Sequence, residues 1–143
     1  MIGMRDTMAN FLQLDRRAAI ALAVLGLLGC TQASGADEDV VPLRAAFQAH
    51  QAGTAVLIDV REPHEPAQGV APNAVLLPKS QLEQRLSLVP VDPAKPVYLI
   101  CATQNRSRAT LKSLRERGGY AHVRYVQGGM TEWKQQGLPI VRP

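Results

Sequence analysis

Aromatic residues make up only 4% of the chain, and 16 Lys and Arg against 12 Asp and Glu leave a formal net charge of just +4. A nucleic-acid surface built on base stacking and phosphate contacts needs a basic patch interleaved with aromatics. This composition therefore argues against a nucleic-acid partner. The basic residues that do cluster, Arg106, Arg108, Lys112, Arg115 and Arg117, read as the solvated face of one helix beside an anion site. Histidine is sparse as well. His50, His64 and His122 are scattered, and no spacing among them and the cysteines sets up a metal site. His64 follows Arg61 closely enough to stand at a site rim, but ordinary surface placement fits it better. No cofactor is expected. Two cysteines, Cys30 and Cys101, are too few for a disulfide framework. No internal repeat is visible, and no apolar run is long enough to span a bilayer. What remains is the 46% hydrophobic, 20% charged make-up of a globular chain, with 143 residues for one domain and a modest core.

The N-terminal segment, residues 1–29, reads as a leader rather than as fold. Arg16 and Arg17 precede an apolar run from Ala18 to Leu28 with the proportions of a signal-peptide core. The run ends in Leu27-Leu28-Gly29-Cys30, which resembles the lipobox of bacterial lipoproteins. That resemblance implies a lipid on Cys30, a mature chain beginning there, and a bacterial cell-envelope location facing the periplasm. An ordinary secretory signal or an uncleaved anchor, with Cys30 incidental, is the alternative. Residues 30–40 are then the lipidated cysteine and a small, polar, acidic tether, and the folded domain is expected over 41–143. With Cys30 lipidated, Cys101 is the single thiol of the mature domain, with no partner in a compartment that favours disulfides. Such a cysteine is either buried and inert or present for its reactivity.

The domain alternates helical and strand patterns. Pro42 followed by Leu43, Ala46 and Phe47 predicts a helix that Gly53 ends. Ala55 to Ile58, Ala74 to Leu77, Val97 to Ile100 and Val123 to Val126 are short continuous apolar runs, the mark of strands buried on both faces. Ser80 and Glu83 stand at capping-box spacing and predict a helix carrying Leu82 and Leu86. Ala109, Leu111 and Leu114 predict a helix that stops at Gly118. Strands joined by helical crossovers give a parallel sheet covered on both sides, an α/β fold with ligands at the C-terminal strand edge.

One strand ends on a thiol. Val97 to Ile100 runs into Cys101-Ala102-Thr103-Gln104-Asn105-Arg106-Ser107, a short polar loop leading into a helix. Loop N–H groups and a helix N-terminus converge on such a point and favour the thiolate, the nucleophilic form. The amides of Ala102, Thr103, Gln104, Asn105 and Arg106, with the Arg106 guanidinium, form the expected anion-binding loop. Asp59 and Arg61 fall at a neighbouring strand end, where a salt bridge or loop-supporting role fits better than direct chemistry.

Four features in order resemble a single-domain rhodanese, over about Val41 to Ile140. They are Asp59-Val60-Arg61-Glu62-Pro63; Gly69 to Ala74, similar to the family's Gly-His-Ile-Pro-Gly-Ala turn except at Val70, Ala71 and Asn73; the Cys101 to Ser107 loop; and Gly128-Gly129 with Trp133 beyond. The resemblance implies a three-layer α/β/α domain around a parallel sheet. It implies a sulfurtransferase in which Cys101 takes a sulfane sulfur from a small anion such as thiosulfate, holds it as a persulfide, and passes it to a thiol or cyanide-like acceptor. A low-turnover sulfur carrier, sensor or docking module is the alternative. Related phosphatases and arsenate reductases carry a loop one residue longer, so the spacing from Cys101 to Arg106 favours sulfur over phosphorus. Family loops commonly have glycine where this chain has Gln104. Either this residue is forced to positive φ, at about 1 kcal/mol or more of strain, or it stays in an allowed region with its amide toward the pocket. Trp133 is expected in the core, and Gly128 and Gly129 in a turn.

Overall fold

Four of the apolar runs become neighbours in one sheet. The computed structural model describes residues 38–143; segment 1–29, Cys30 and most of the tether lie outside the described residues. The strands are β1 (Val40–Val41), β2 (Val56–Asp59), β3 (Val75–Leu76), β4 (Val97–Ile100) and β5 (Val123–Val126). They pair in the order β1-β5-β4-β2-β3, every ladder parallel. The helices are α1 (Leu43–Gln51), α2 (Asn105–Arg117) and α3 (Gly129–Gln135). Strand β1 is too short to show a period in the sequence. It forms because Tyr125 and Gln127 donate their amides to the carbonyls of Asp39 and Val41. The sheet thus takes in Val40, one residue before the boundary expected at 41.

Adjacent residues of a strand face opposite ways, so one run feeds two cores. Ile58, Leu99, Val123 and Tyr125 pack with Leu111 and Leu114 of α2 on one face. Leu57, Ile100 and Val126 pack with Leu43 and Ala46 of α1 and Met130 and Trp133 of α3 on the other. Fully burying each such aliphatic side chain is worth about 1.5–3 kcal/mol. Trp133 is entirely buried, its Nε1–H donating to the Pro139 carbonyl at 2.8 Å and its ring edge-on to Phe47 at 5.4 Å. The result is an α/β fold with a single parallel five-stranded sheet flanked by helices.

The helix predicted from Ser80 and Glu83 does not form. That stretch folds as two 3₁₀ turns, Lys79–Gln81 and Leu86–Leu88, and neither end is capped by a side chain. Tertiary partners take both capping residues instead. The Ser80 hydroxyl donates to Glu62 Oε2 at 2.7 Å, and Glu83 pairs with Arg117. In the turn after Gly69, Asn73 adopts φ 61°, the one positive φ of a non-glycine among the described residues. Asparagine tolerates this left-handed conformation better than most side chains, so it stands where the family's pattern has glycine.

Candidate functional site

Strands β2 and β4 are parallel neighbours with Asp59 in register with Ile100, so the segments after them leave the same edge of the sheet. Cys101 is the first residue beyond β4. Its side chain is 1% exposed and belongs to the α2-side core. The Sγ lies under the N-terminus of α2, where the amide of Ser107 donates to it at 3.4 Å. The thiol donates in turn toward Ser107 Oγ at 3.6 Å, and that hydroxyl donates to the Gln104 carbonyl at 3.0 Å. Ser107 is thus fully buried and polar because it links the sulfur to the loop.

The direction of the loop's peptide groups is set from outside. The amides of Met130 and Thr131, in the first turn of α3, donate to the carbonyls of Cys101 and Ala102 at 2.8 and 2.9 Å. Among the described residues the amides of Ala102 through Arg106 find no protein acceptor. Unpaired backbone donors beside a helix start are the raw material of an anion-binding nest, and the α2 N-terminus adds partial positive charge there. Gly129 allows this docking. A Cβ at that position would lie 2.0 Å from the Thr103 carbonyl oxygen and 2.5 Å from that of Cys101. Gly128 and Gly129 are therefore more than a turn: the second brings a helix terminus into backbone contact with the loop.

Charged side chains brace the same structure. Arg61 and Asp59 are 4% and 1% exposed and form a bidentate pair with contacts of 2.6–3.0 Å. Arg61 Nη2 also reaches the Gly69 carbonyl at 2.9 Å, tying β2 to the following turn. Arg106 departs from the sequence expectation. Its guanidinium does not stand free toward an anion; it forms a fork with Glu65, Nη2 to Oε1 at 2.6 Å and Nη1 to Oε2. Glu65 Oε2 also accepts the Glu62 amide at 2.8 Å. Hydrogen bonding from Arg106 is the main cause that lowers the Glu65 carboxyl from 4.5 to about 2. The Arg106 charge is compensated, and the group of this residue left without a protein partner among the described residues is its backbone amide. Gln104 takes φ −155°, with no strain of the left-handed kind, and its Oε1 accepts the Gly128 amide at 3.3 Å.

Two clefts flank the loop. The larger, about 500 Å³, is lined by Thr103, Gln104, Asn105, Gln127 and Glu132 among others. The smaller, about 230 Å³, is lined by Arg61, His64, Glu65, Ala102, Thr131 and Lys134 among others. Among the described residues no group of His, Cys, Asp and Glu is placed to hold a metal ion.

The description "Rhodanese-like domain" matches residues 43–136. The chain belongs to the rhodanese-like family. It is similar to a protein named sulfurtransferase from Allochromatium vinosum, 38% identical over 88 residues, 62% of this chain and 79% of that one. An uncharacterized protein of Synechocystis is 37% identical over 95 residues, and the chain spans about half of that relative, 51%. Among solved structures, a rhodanese-related protein from Thermoplasma volcanium has a TM-score of 0.64 at 28% identity, covering 73% of this chain and 98% of that one.

Within this rhodanese-like domain, Cys101, the loop from Ala102 to Arg106, Asp59 and Arg61 gather at one sheet edge. Cys30 lies outside the described residues. Glu65 was not among the residues the sequence singled out, and Ser107 stood there only as the last residue of the loop. Ser107 carried a local signal, a hydroxyl in the first turn of the helix that follows the thiol. Glu65 carried none, since its partner is 41 residues away. His64 is exposed, as expected, and also stands on the rim of the smaller cleft.

Proposed function

We propose that the protein is a sulfurtransferase that carries sulfane sulfur as a persulfide on Cys101, with thiosulfate as the donor class. The observation that carries this reading is the buried Cys101 thiol at the α2 N-terminus, beside a loop whose amides, Ala102 to Arg106, have no protein acceptor among the described residues. In the first step the Cys101 thiolate attacks the sulfane sulfur of thiosulfate. A new S–S bond forms to Cys101, and the old S–S bond breaks with its electron pair leaving on sulfite. The amides stabilise charge that develops on the outer sulfur and then hold the anionic persulfide. In the second step a thiol or cyanide attacks the outer sulfur and the Cys101 thiolate is restored. Ser107, whose amide and hydroxyl both contact Sγ, orients the thiolate for the first step.

The test uses the full chain. Incubation with thiosulfate is expected to add one sulfur atom to Cys101 by intact-mass analysis, and cyanide is then expected to remove it as thiocyanate. Cys101→Ser should do neither. No mass gain and no thiocyanate from the unaltered protein would overturn the reading.

The N-terminal run ending at Cys30 supports a second part of the proposal: a lipid on that cysteine tethers the domain to the cell envelope, facing the periplasm. Replacing Cys30 with alanine should abolish acyl labelling and release the protein from the membrane fraction. Unchanged labelling and fractionation would refute the anchor.

A further inference from the structure

The site's arginines carry compensated charge, yet the proposed donor is a dianion. Arg61 is held by Asp59 at 2.6 Å and Arg106 by Glu65. Of the permanent cations that line the two clefts beside the loop, Lys134 alone has no ion-pair partner among the described residues. It is exposed, on α3, one turn beyond Met130 and Thr131, whose amides hold the Cys101 and Ala102 carbonyls. Helical side chains lean toward the N-terminus of their helix, so Lys134 lies over the turn that touches the loop. It lines the smaller cleft together with Ala102, the residue after the sulfur. The larger cleft has no cation in its lining and one carboxylate, Glu132, whereas the carboxylate of the smaller cleft, Glu65, is paired with Arg106.

We propose that Lys134 is the donor-binding residue, its ammonium holding the oxyanion end of a thiosulfate-type donor in the smaller cleft while the sulfane sulfur reaches Cys101. The proposal rests on the sulfurtransferase reading for its ligand. It assigns donor entry and sulfite departure to one side of the loop and leaves the larger cleft to the acceptor.

Two measurements on the full chain separate this proposal from that reading. The first is thiosulfate affinity by calorimetry in a Cys101→Ser background, where no chemistry occurs. Adding Lys134→Gln is expected to weaken binding about fivefold at low salt, the scale of a lost exposed charge contact with a divalent anion. The difference should shrink as ionic strength rises, and Lys134→Arg should restore most of it. The second is persulfide loading of Cys101. Lys134→Gln should raise the half-saturating thiosulfate concentration by a similar factor, with little change in the saturated rate or in the removal of preloaded sulfur by cyanide. Equal affinities with and without Lys134→Gln, or no thiosulfate binding at all, would overturn the Lys134 assignment. Binding that depends on Lys134 without any sulfur gain on Cys101 would uphold the anion site and refute the chemistry.

Discussion

Gly129→Ala isolates the docking of α3 on the active loop. Gly129 has φ +59°, and its added methyl would meet backbone oxygens of Thr103 and Cys101 at 2.0 and 2.5 Å. No real Cβ contact is so short, so the helix terminus and the loop must separate. Left-handed strain at an alanine costs about 1–2 kcal/mol. Loss of the Met130 and Thr131 hydrogen bonds to the loop adds about 1 kcal/mol each. The expected destabilisation is therefore about 3–4 kcal/mol, a large share of the 5–15 kcal/mol typical of a domain. Gly137→Ala supplies the control, since Gly137 has φ +65° and nothing within 4 Å of an added Cβ. Its cost should be the strain alone, about 1–2 kcal/mol. Urea unfolding of the full chain measures both variants. Equal destabilisation by the two would refute the claim that close approach at Gly129 holds the loop. So would a Gly129→Ala protein that loads sulfur at the unaltered rate, because the loop carbonyls would then not need α3 to turn them away from the nest.

The Glu65–Arg106 fork should make part of the domain's stability acid-sensitive. Glu65 is lowered from 4.5 to about 2, so its contribution is complete above the unfolded value and is lost as pH falls toward the folded one. Glu65→Gln should flatten the decline of the urea midpoint over that window, and identical declines in both proteins would count against the brace. Gln104→Gly should not speed sulfur loading. Gln104 sits at φ −155°, so glycine relieves no strain, and the variant loses the Gly128 hydrogen bond; a several-fold faster rate would show that the glutamine is a hindrance after all.

The local pattern of this chain determined a good deal. Continuous apolar runs located β2, β4 and β5 to within a residue, because a strand buried on both faces needs apolar neighbours in succession. Glycine at 118 ended α2, and the polar stretch after Ile100 put a thiol at the mouth of a loop and the start of a helix. Tertiary structure decided the rest. Strand β1 exists only because β5 offers it a ladder, and the Ser80 capping box yielded to Glu62, 18 residues away. Arg106 looked like the site's free cation until Glu65 was brought beside it, and Gly129 looked like a turn until the loop carbonyls closed on it. Periodicity and caps are interactions between residues a few positions apart, so they are written in the sequence directly. Which charge is compensated, and which backbone touches which, depends on segments that meet only when the sheet assembles.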